Sequence, residues 1–131
     1  MEEKNIEKVL IEKAILAREN SYSPYSNFKV GACLITEDGE FYSGCNIENA
    51  AYGPTNCAER TAIFKAVSEG KRKFSKIAVI GDEKNYCYPC GVCRQVISEF
   101  CDKDFEIICA KNVEEYEVYK LSELLPKTFD L

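Results

Sequence analysis

The spacing of hydrophobic residues changes along the chain from a helical to an extended period and back. Apolar residues recur at close to helical spacing over residues 5–19, which predicts an amphipathic first helix. The segment SYSPYSN interrupts this pattern. Apolar runs over residues 28–36 and 41–47 then flank a turn that contains an Asp-Gly pair, and together they predict a β-hairpin.

The second half of the chain alternates predicted helices with apolar strands. One helix is predicted over residues 57–69, ending at Gly70, and another over residues 90–100, after Pro89. Strands are predicted at KIAVIG, FEIICA and EVYK, and a final helical turn at SELL. The order α, β, β, α, β, α, β, β predicts an α/β fold with a mixed sheet of about five strands, parallel where helices cross over.

Length and composition predict one globular domain over residues 1–131, since 46% of the residues are hydrophobic and 30% are charged. Charges recur throughout the first twenty residues, and no apolar run is long enough to span a bilayer, so we expect a soluble, cytoplasmic protein with no membrane partner. In that reducing compartment, the eight cysteines are expected to be thiols, some of them metal ligands, rather than disulfides.

Charge and the missing histidines exclude several function classes. A net charge of −5 would repel a nucleic-acid backbone, so a small uncharged partner is expected. The chain has no histidine, which excludes Ser/His/Asp triads, Cys/His dyads and imidazole metal sites. Any metal site must therefore use sulfur and oxygen ligands.

Two cysteine motifs stand at predicted helix starts. One is Cys57, Ala58 and Glu59; the other is the PCGVC segment that contains Cys90 and Cys93. The spacing of Cys90 and Cys93 lets both bind one ion, while Cys57 approaches from the facing helix. Three thiolates leave one tetrahedral position open, as in a catalytic zinc site, and helix N-termini favour thiolate over thiol.

Glu59 has two interpretations. Two residues after the first ligand, its carboxylate can lie beside the metal and move protons without binding it. If Asn56 is the N-cap, however, Glu59 occupies the third helical position and completes a capping box. Position alone does not separate these roles, and one glutamate can perform both.

The remaining cysteines offer one alternative metal site. Cys87, Cys90 and Cys93 form a CxxCxxC run, which is typical of an iron–sulfur cluster or a closed zinc site. The other four lie in predicted strands or at a helix end, where a cysteine usually packs as a small hydrophobe. They are Cys33, Cys45, Cys101 and Cys109.

Five blocks resemble the small cytidine deaminases that act on free nucleosides. They are SPYSNFKVGA, GCNIENAAY, CAERTA, PCGVCRQVISE and ELLP, and they span nearly the whole chain. The wider zinc deaminase signature includes a glutamate that is not a ligand. Polynucleotide and nucleotide deaminases typically have His where Cys57 stands, so the all-sulfur site favours the free-nucleoside branch. Cys87 and the bulky Val92 depart from the family pattern.

The resemblance implies a three-layer cytidine-deaminase-like fold, with helices on both faces of the sheet, and one zinc ion per chain held by Cys57, Cys90 and Cys93. It also implies hydrolysis of cytidine and deoxycytidine to uridine and deoxyuridine plus ammonia, in pyrimidine salvage. Zinc-activated hydroxide would attack C4 while Glu59 moves protons. Three thiolates make the metal electron-rich, so compensating positive charge is expected from Arg60 and, second, Arg94.

Substrate contacts follow from the same resemblance. Asn46 and Glu48 are expected at ribose hydroxyls, and the Phe28 ring on the base, although a strand-start Phe is also typical of a core. The backbone around Ala50, Tyr52 and Ala58 is expected to meet the base and sugar. The full expected set is Phe28, Asn46, Glu48, Ala50, Tyr52, Ala58 and Phe129.

The resemblance implies a homotetramer in which Phe129 reaches the base bound in another subunit. The alternative is that this ring folds back on its own core. Two other functions stay open: deamination of a modified cytosine nucleoside such as an antibiotic, and a non-catalytic metal-binding or redox module built on Cys87, Cys90 and Cys93.

Overall fold

The computed structural model describes residues 2–129 and 131. Its elements follow the predicted order. They are α1 (Glu3–Arg18), β1 (Gly31–Thr36), β2 (Phe41–Cys45), α2 (Ala58–Ser68), β3 (Phe74–Ile80), α3 (Gly91–Phe100), β4 (Glu106–Ala110), β5 (Tyr116–Lys120) and α4 (Leu121–Leu124).

The five strands form one mixed sheet in the order β2-β1-β3-β4-β5. Strand β1 pairs antiparallel with both β2 and β3, and β4 pairs antiparallel with β5. Strands β3 and β4 pair in parallel because α3 carries the chain back across the sheet between them. The predicted mixed sheet of about five strands is confirmed.

Helices cover both faces of the sheet. Adjacent strand residues alternate between the faces, so Cys33 and Ala78 pack with Leu10, Ile11 and Ala14 of α1 in one cluster. The neighbouring residues in β1 and β3 pack with α2 and α3 in a second cluster. This arrangement confirms the predicted three layers. No helix in the described part of the chain has the length and hydropathy needed to cross a bilayer.

The hairpin strands are shorter than predicted because a side chain replaces part of the ladder. Strand β1 begins at Gly31, and β2 ends at Cys45. Beyond them, the Asn46 amide donates to the Phe28 carbonyl (2.8 Å) and accepts from the Val30 N–H (2.9 Å). One amide thus satisfies the backbone of a segment that forms no regular strand.

A glycine in β2 brings α2 close to the sheet. A Cβ atom at Gly44 would lie 2.5 Å from the Ala62 nitrogen and 2.6 Å from the Ala58 carbonyl oxygen. These are backbone atoms of α2, so a larger residue would push the helix outward. The position of the α2 N-terminus, which carries Cys57, therefore depends on Gly44.

Candidate active site

Helices α2 and α3 each begin at a cysteine. Cys57 is the N-cap of α2 and Cys90 is the N-cap of α3, both with extended backbone. Neither thiol makes a capping hydrogen bond, so both sulfurs remain available to other partners. Cys93 follows in the first turn of α3 and is buried.

The three sulfurs converge on one point. All lie within 4.8 Å of one another, and the Cys57 and Cys90 Sγ atoms are 3.7 Å apart. Two thiolates on one tetrahedral zinc, each at about 2.3 Å, lie about 3.8 Å apart. The donor type and this spacing therefore fit a zinc ion, with one coordination position left for a ligand from outside the chain.

Cys87 lies outside this group. It stands in the loop before α3, and the metal-binding group found in residues 2–129 joins Cys90 and Cys93 to Cys57 instead. Burial raises the pKa of the Cys87 thiol to about 12, which opposes the thiolate form that a metal ligand needs. These observations argue against the CxxCxxC alternative.

The hydrogen bond between Cys57 and Cys93 shifts the pKa values of the two thiols in opposite directions. A hydrogen bond from Cys93 lowers the pKa of Cys57, while the same contact raises the pKa of Cys93. Arg60 adds a second donor, because its Nη2 lies 3.3 Å from the Cys57 Sγ. Cys57 is therefore the sulfur whose anionic form the surroundings favour most.

Glu59 is a buried carboxyl beside these thiols. Only 3% of its surface is exposed, and burial raises its pKa to about 7. The capping-box alternative does not apply, because α2 has Cys57 rather than Asn56 as its N-cap, which places Glu59 second rather than third in the helix. The Asn56 amide instead donates to the Thr61 hydroxyl (3.0 Å).

A cavity of about 320 Å³ opens onto the cysteine cluster. Its volume is typical of sites for small molecules. The predicted residues in its wall are Phe28, Asn46, Glu48, Cys57, Ala58, Glu59 and Cys90. The structure thus brings the metal-binding and proton-transfer candidates together with four of the predicted substrate contacts.

Comparison with known proteins identifies the family. Residues 4–110 match the family described as the cytidine and deoxycytidylate deaminase zinc-binding region. The chain belongs to this deaminase family. Cytidine deaminase of Sporosarcina psychrophila is 50% identical over 95% of this chain and 91% of its own length, and that of Halalkalibacterium halodurans is 51% identical over 93% and 92%.

A solved deaminase structure agrees with the fold. The crystal structure of cytidine deaminase from Burkholderia pseudomallei superposes with a TM-score of 0.87 at 48% identity, covering 92% of this chain and 97% of that one. The family and fold class predicted from sequence are confirmed. Zinc is the cofactor of the family's metal-binding region, and the sulfur cluster lies within the matched residues.

The two expected ribose contacts already have partners within the deaminase chain. The Asn46 side chain bonds to the backbone of Phe28 and Val30, as described above. The Glu48 carboxylate accepts from the Ser26 hydroxyl and from the Tyr25 backbone N–H (2.9 Å), and the hydroxyl contact lowers its pKa. Both side chains are held in place, and any substrate hydroxyl must use the lone pairs and protons that remain.

Three predicted residues lie outside the cavity wall. Ala50 and Tyr52 are exposed in the loop before α2, with Tyr52 80% exposed and at a positive φ of 59°. Phe129 is 69% exposed, so the alternative that its ring folds back on the core is wrong. Its carbonyl accepts from the Gln95 side chain (3.3 Å), which holds the C-terminal segment on α3.

Arg94 does not contact the sulfurs as expected. Its Nε donates to the Pro89 carbonyl (2.8 Å) and its Nη1 to the Leu124 carbonyl (2.7 Å). The first of these carbonyls precedes Cys90, so Arg94 acts on the backbone that carries the ligand. These two carbonyls orient its guanidinium, and a contribution of its charge near the sulfurs stays a prediction.

Sequence reasoning missed Tyr88, which lines the cavity between Cys87 and Pro89. Its hydroxyl donates to Glu117 of β5 (2.9 Å). No local pattern marks this pair because the two residues are 29 positions apart.

Proposed function

We propose that the chain hydrolyses the 4-amino group of cytidine and deoxycytidine, giving uridine or deoxyuridine and ammonia. One observation carries the proposal: the buried carboxyl of Glu59 lines a single small cavity together with Cys57 and Cys90, two of the three cysteines whose sulfurs converge. A closed structural zinc site would have a fourth protein ligand and would not need a carboxyl that lies beside the ligands.

Cys57, Cys90 and Cys93 would hold the zinc ion. When bound, zinc acts as a Lewis acid that lowers the pKa of a coordinated water toward neutrality. Arg60 would offset the negative charge of the three thiolates through its hydrogen bond to Cys57. Cys57 and Cys90 also stand at the starts of two helices, where the backbone N–H groups favour anionic sulfur.

Glu59 would carry the protons. It takes a proton from the attacking water and passes it to N3 of the cytosine ring while the water oxygen bonds to C4. It then takes the proton of the new C4 hydroxyl and gives it to the amino group, so that the C4–N bond breaks, ammonia leaves and C4 becomes a carbonyl. One carboxyl can serve in both directions because it returns to its starting protonation state at the end of the cycle.

Recognition of a free nucleoside fits the rest of the cavity. The Phe28 ring offers an apolar face to the base, while Asn46 and Glu48 offer polar atoms to the sugar. The net charge of −5 disfavours a polynucleotide. Both relatives named above are cytidine deaminases, which supports the same substrate here.

We further propose a cytoplasmic homotetramer that works in pyrimidine salvage. Exposed Phe129 and Tyr52 support an assembly, because aromatic rings that a single chain leaves uncovered are suited to contacts between subunits. Neither ring lies in the wall of its own chain's cavity. A neighbouring subunit is therefore the natural site of action for both.

An ultraviolet assay tests the proposal directly. Cytidine incubated with the zinc-loaded protein should lose its characteristic absorbance as uridine forms, and ammonia should appear in equal amount. If the protein deaminates a modified cytosine nucleoside but not cytidine, the modified nucleoside would be its substrate instead. Stoichiometric zinc with no turnover of either would leave a metal-binding module and contradict the proposed reaction.

A further inference from the structure

The segment that leads into Cys90 is irregular chain. Residues 81–90 connect β3 to α3 without helix or strand, and residues 82–85 are exposed. Cys90 is the last residue of this connection and the N-cap of α3. The position of its thiol therefore depends on how the preceding residues are held, since a loop without ladder hydrogen bonds retains more freedom than a strand.

Tyr88 ties this segment to the far edge of the sheet. Its hydroxyl donates to the Glu117 Oε1 across 2.9 Å, and Glu117 stands on β5, the edge strand. The Tyr88 ring packs edge to face against Tyr119, with 6.0 Å between the ring centres. A hydrogen bond to a carboxylate is stronger than one between neutral groups, and here the ring contact adds to a bond that is exposed to solvent.

The same segment is held from the opposite side by α3. Arg94 donates to the Pro89 carbonyl across 2.8 Å. Tyr88 and Pro89 are consecutive, and Cys90 follows directly, so two attachments on different elements fix the chain just before the thiol. Tyr88 and Cys90 both line the cavity.

We infer that Tyr88 is a positioning residue, whose bond to Glu117 holds the Tyr88–Cys90 segment so that the Cys90 thiol stays with those of Cys57 and Cys93. The inference rests on the proposed function only in taking this cluster as the zinc site. Partners that orient metal ligands commonly change metal affinity 10- to 100-fold when removed. Tyr88 does not contact a sulfur and acts only through the backbone that leads to Cys90. We therefore expect its loss to change metal affinity by a factor near the lower end of that range.

Tyr119 provides a matched control. Its hydroxyl donates to the same Glu117 oxygen, across 2.8 Å. Both residues lie on β5, two positions apart, so this bond does not attach another segment of the chain. Tyr88→Phe and Tyr119→Phe thus each remove one hydroxyl from the same carboxylate and keep both rings, but only the first releases the loop.

The experiment measures zinc release from the holoenzyme to an excess of a chromogenic chelator, with no substrate present. Tyr88→Phe should release zinc roughly tenfold faster than the unmodified chain, and Tyr119→Phe less than about twofold faster. Amide hydrogen exchange over residues 82–90 should accelerate only in Tyr88→Phe. Equal release rates for the two variants, or unchanged exchange in Tyr88→Phe, would overturn the inference.

A double variant guards against a general loss of stability. If the two side chains act as a pair, Tyr88→Phe should change zinc release little further in a Glu117→Ala background. Full additivity would overturn the pairing. A chain that binds no zinc at all would contradict the proposed function, whereas a zinc-loaded, active enzyme whose release rate ignores Tyr88→Phe would contradict this inference alone.

Discussion

The guanidinium of Arg60 donates a hydrogen bond to the sulfur of Cys57, three residues earlier on the first turn of the same helix. This bond lowers the pKa of Cys57, alongside the larger effect of Cys93. In a site with three thiolates, it also withdraws charge from a sulfur that would otherwise make the metal a weaker Lewis acid.

Arg60→Gln should therefore reduce kcat by about tenfold or more while most of the zinc is retained. A neutral amide keeps part of the hydrogen-bonding capacity but loses the charge. Arg72→Gln is the control, because Arg72 is exposed and donates to the backbone carbonyls of Val67, in the last turn of α2, and Lys71. Steady-state kinetics with elemental analysis measures both effects, and wild-type kcat in Arg60→Gln would refute the compensating role.

Glu59→Gln should separate catalysis from folding. The amide fills the same buried space and can still accept a hydrogen bond, but it cannot carry a proton, so kcat should fall by about 10²- to 10⁴-fold. Zinc content should stay near one per chain. Glu99→Gln, on the exposed side of α3, is the matched control and should keep full activity. An active but less heat-stable Glu59→Gln protein would indicate a structural role instead.

Zinc should depend on Cys57 and not on Cys87. Cys57→Ala removes one of three convergent donors and should abolish stoichiometric binding, whereas Cys87→Ala should retain one zinc per chain. Inductively coupled plasma mass spectrometry of the purified variants measures the metal. Zinc that survives Cys57→Ala but is lost with Cys87→Ala, or the presence of iron and sulfide, would move the site to the CxxCxxC run.

Thiol alkylation should follow exposure and thiolate content. In zinc-free protein at pH 8, iodoacetamide should modify two cysteines first: exposed Cys90, and half-buried Cys57, whose pKa is lowered by its neighbours. Cys101 and Cys109 should react slowly, because burial raises the pKa of each to about 12 and leaves little thiolate at that pH. Zinc should protect Cys90 and leave the slow pair unchanged. Peptide mass spectrometry follows each site, and rapid labelling of Cys109 in folded protein would contradict the prediction.

Sequence reasoning succeeded where the chemistry depends on local spacing. Cys57 and Cys90 each stand at the start of a helix that local signals such as Gly70 and Pro89 predict, so their convergence follows once the helices share one face of the sheet. It failed where a side chain chooses among distant partners. Arg94 takes the carbonyls of Pro89 and Leu124, and nothing in the local pattern around any of the three encodes that choice.

The capping alternative for Glu59 fails for a different reason. Asn is a strong N-cap residue, which favoured Asn56 over the following Cys57. Tertiary contacts decide otherwise: the Asn56 backbone pairs with Ile47 in an isolated bridge, and its side chain bonds to Thr61. The helix consequently begins one residue later. That shift places Glu59 beside the thiols rather than at the position that would cap the helix.

Phe129→Ala should weaken nucleoside binding while zinc is retained. The ring is 69% exposed and outside its own chain's cavity, so any contact with substrate must occur in a neighbouring subunit. Loss of one aromatic stacking contact should raise KM by about tenfold. Leu131→Ala is the control, since Leu131 is an equally uncovered apolar residue at the chain end. Unchanged KM in Phe129→Ala would contradict the contact.

Subunit mixing tests whether that contact crosses between chains. Glu59→Gln chains supply an intact Phe129, and Phe129→Ala chains supply an intact Glu59, so mixed oligomers contain some sites with both groups. Activity at low cytidine should then exceed the sum of the separate variants. Mixing Phe129→Ala chains with the Glu59→Gln, Phe129→Ala double variant should give no such gain, because no chain then supplies the ring. Light scattering establishes the oligomer, and tagged chains establish exchange. A fully active monomer, or exchange without rescue, would exclude a ring donated from another subunit.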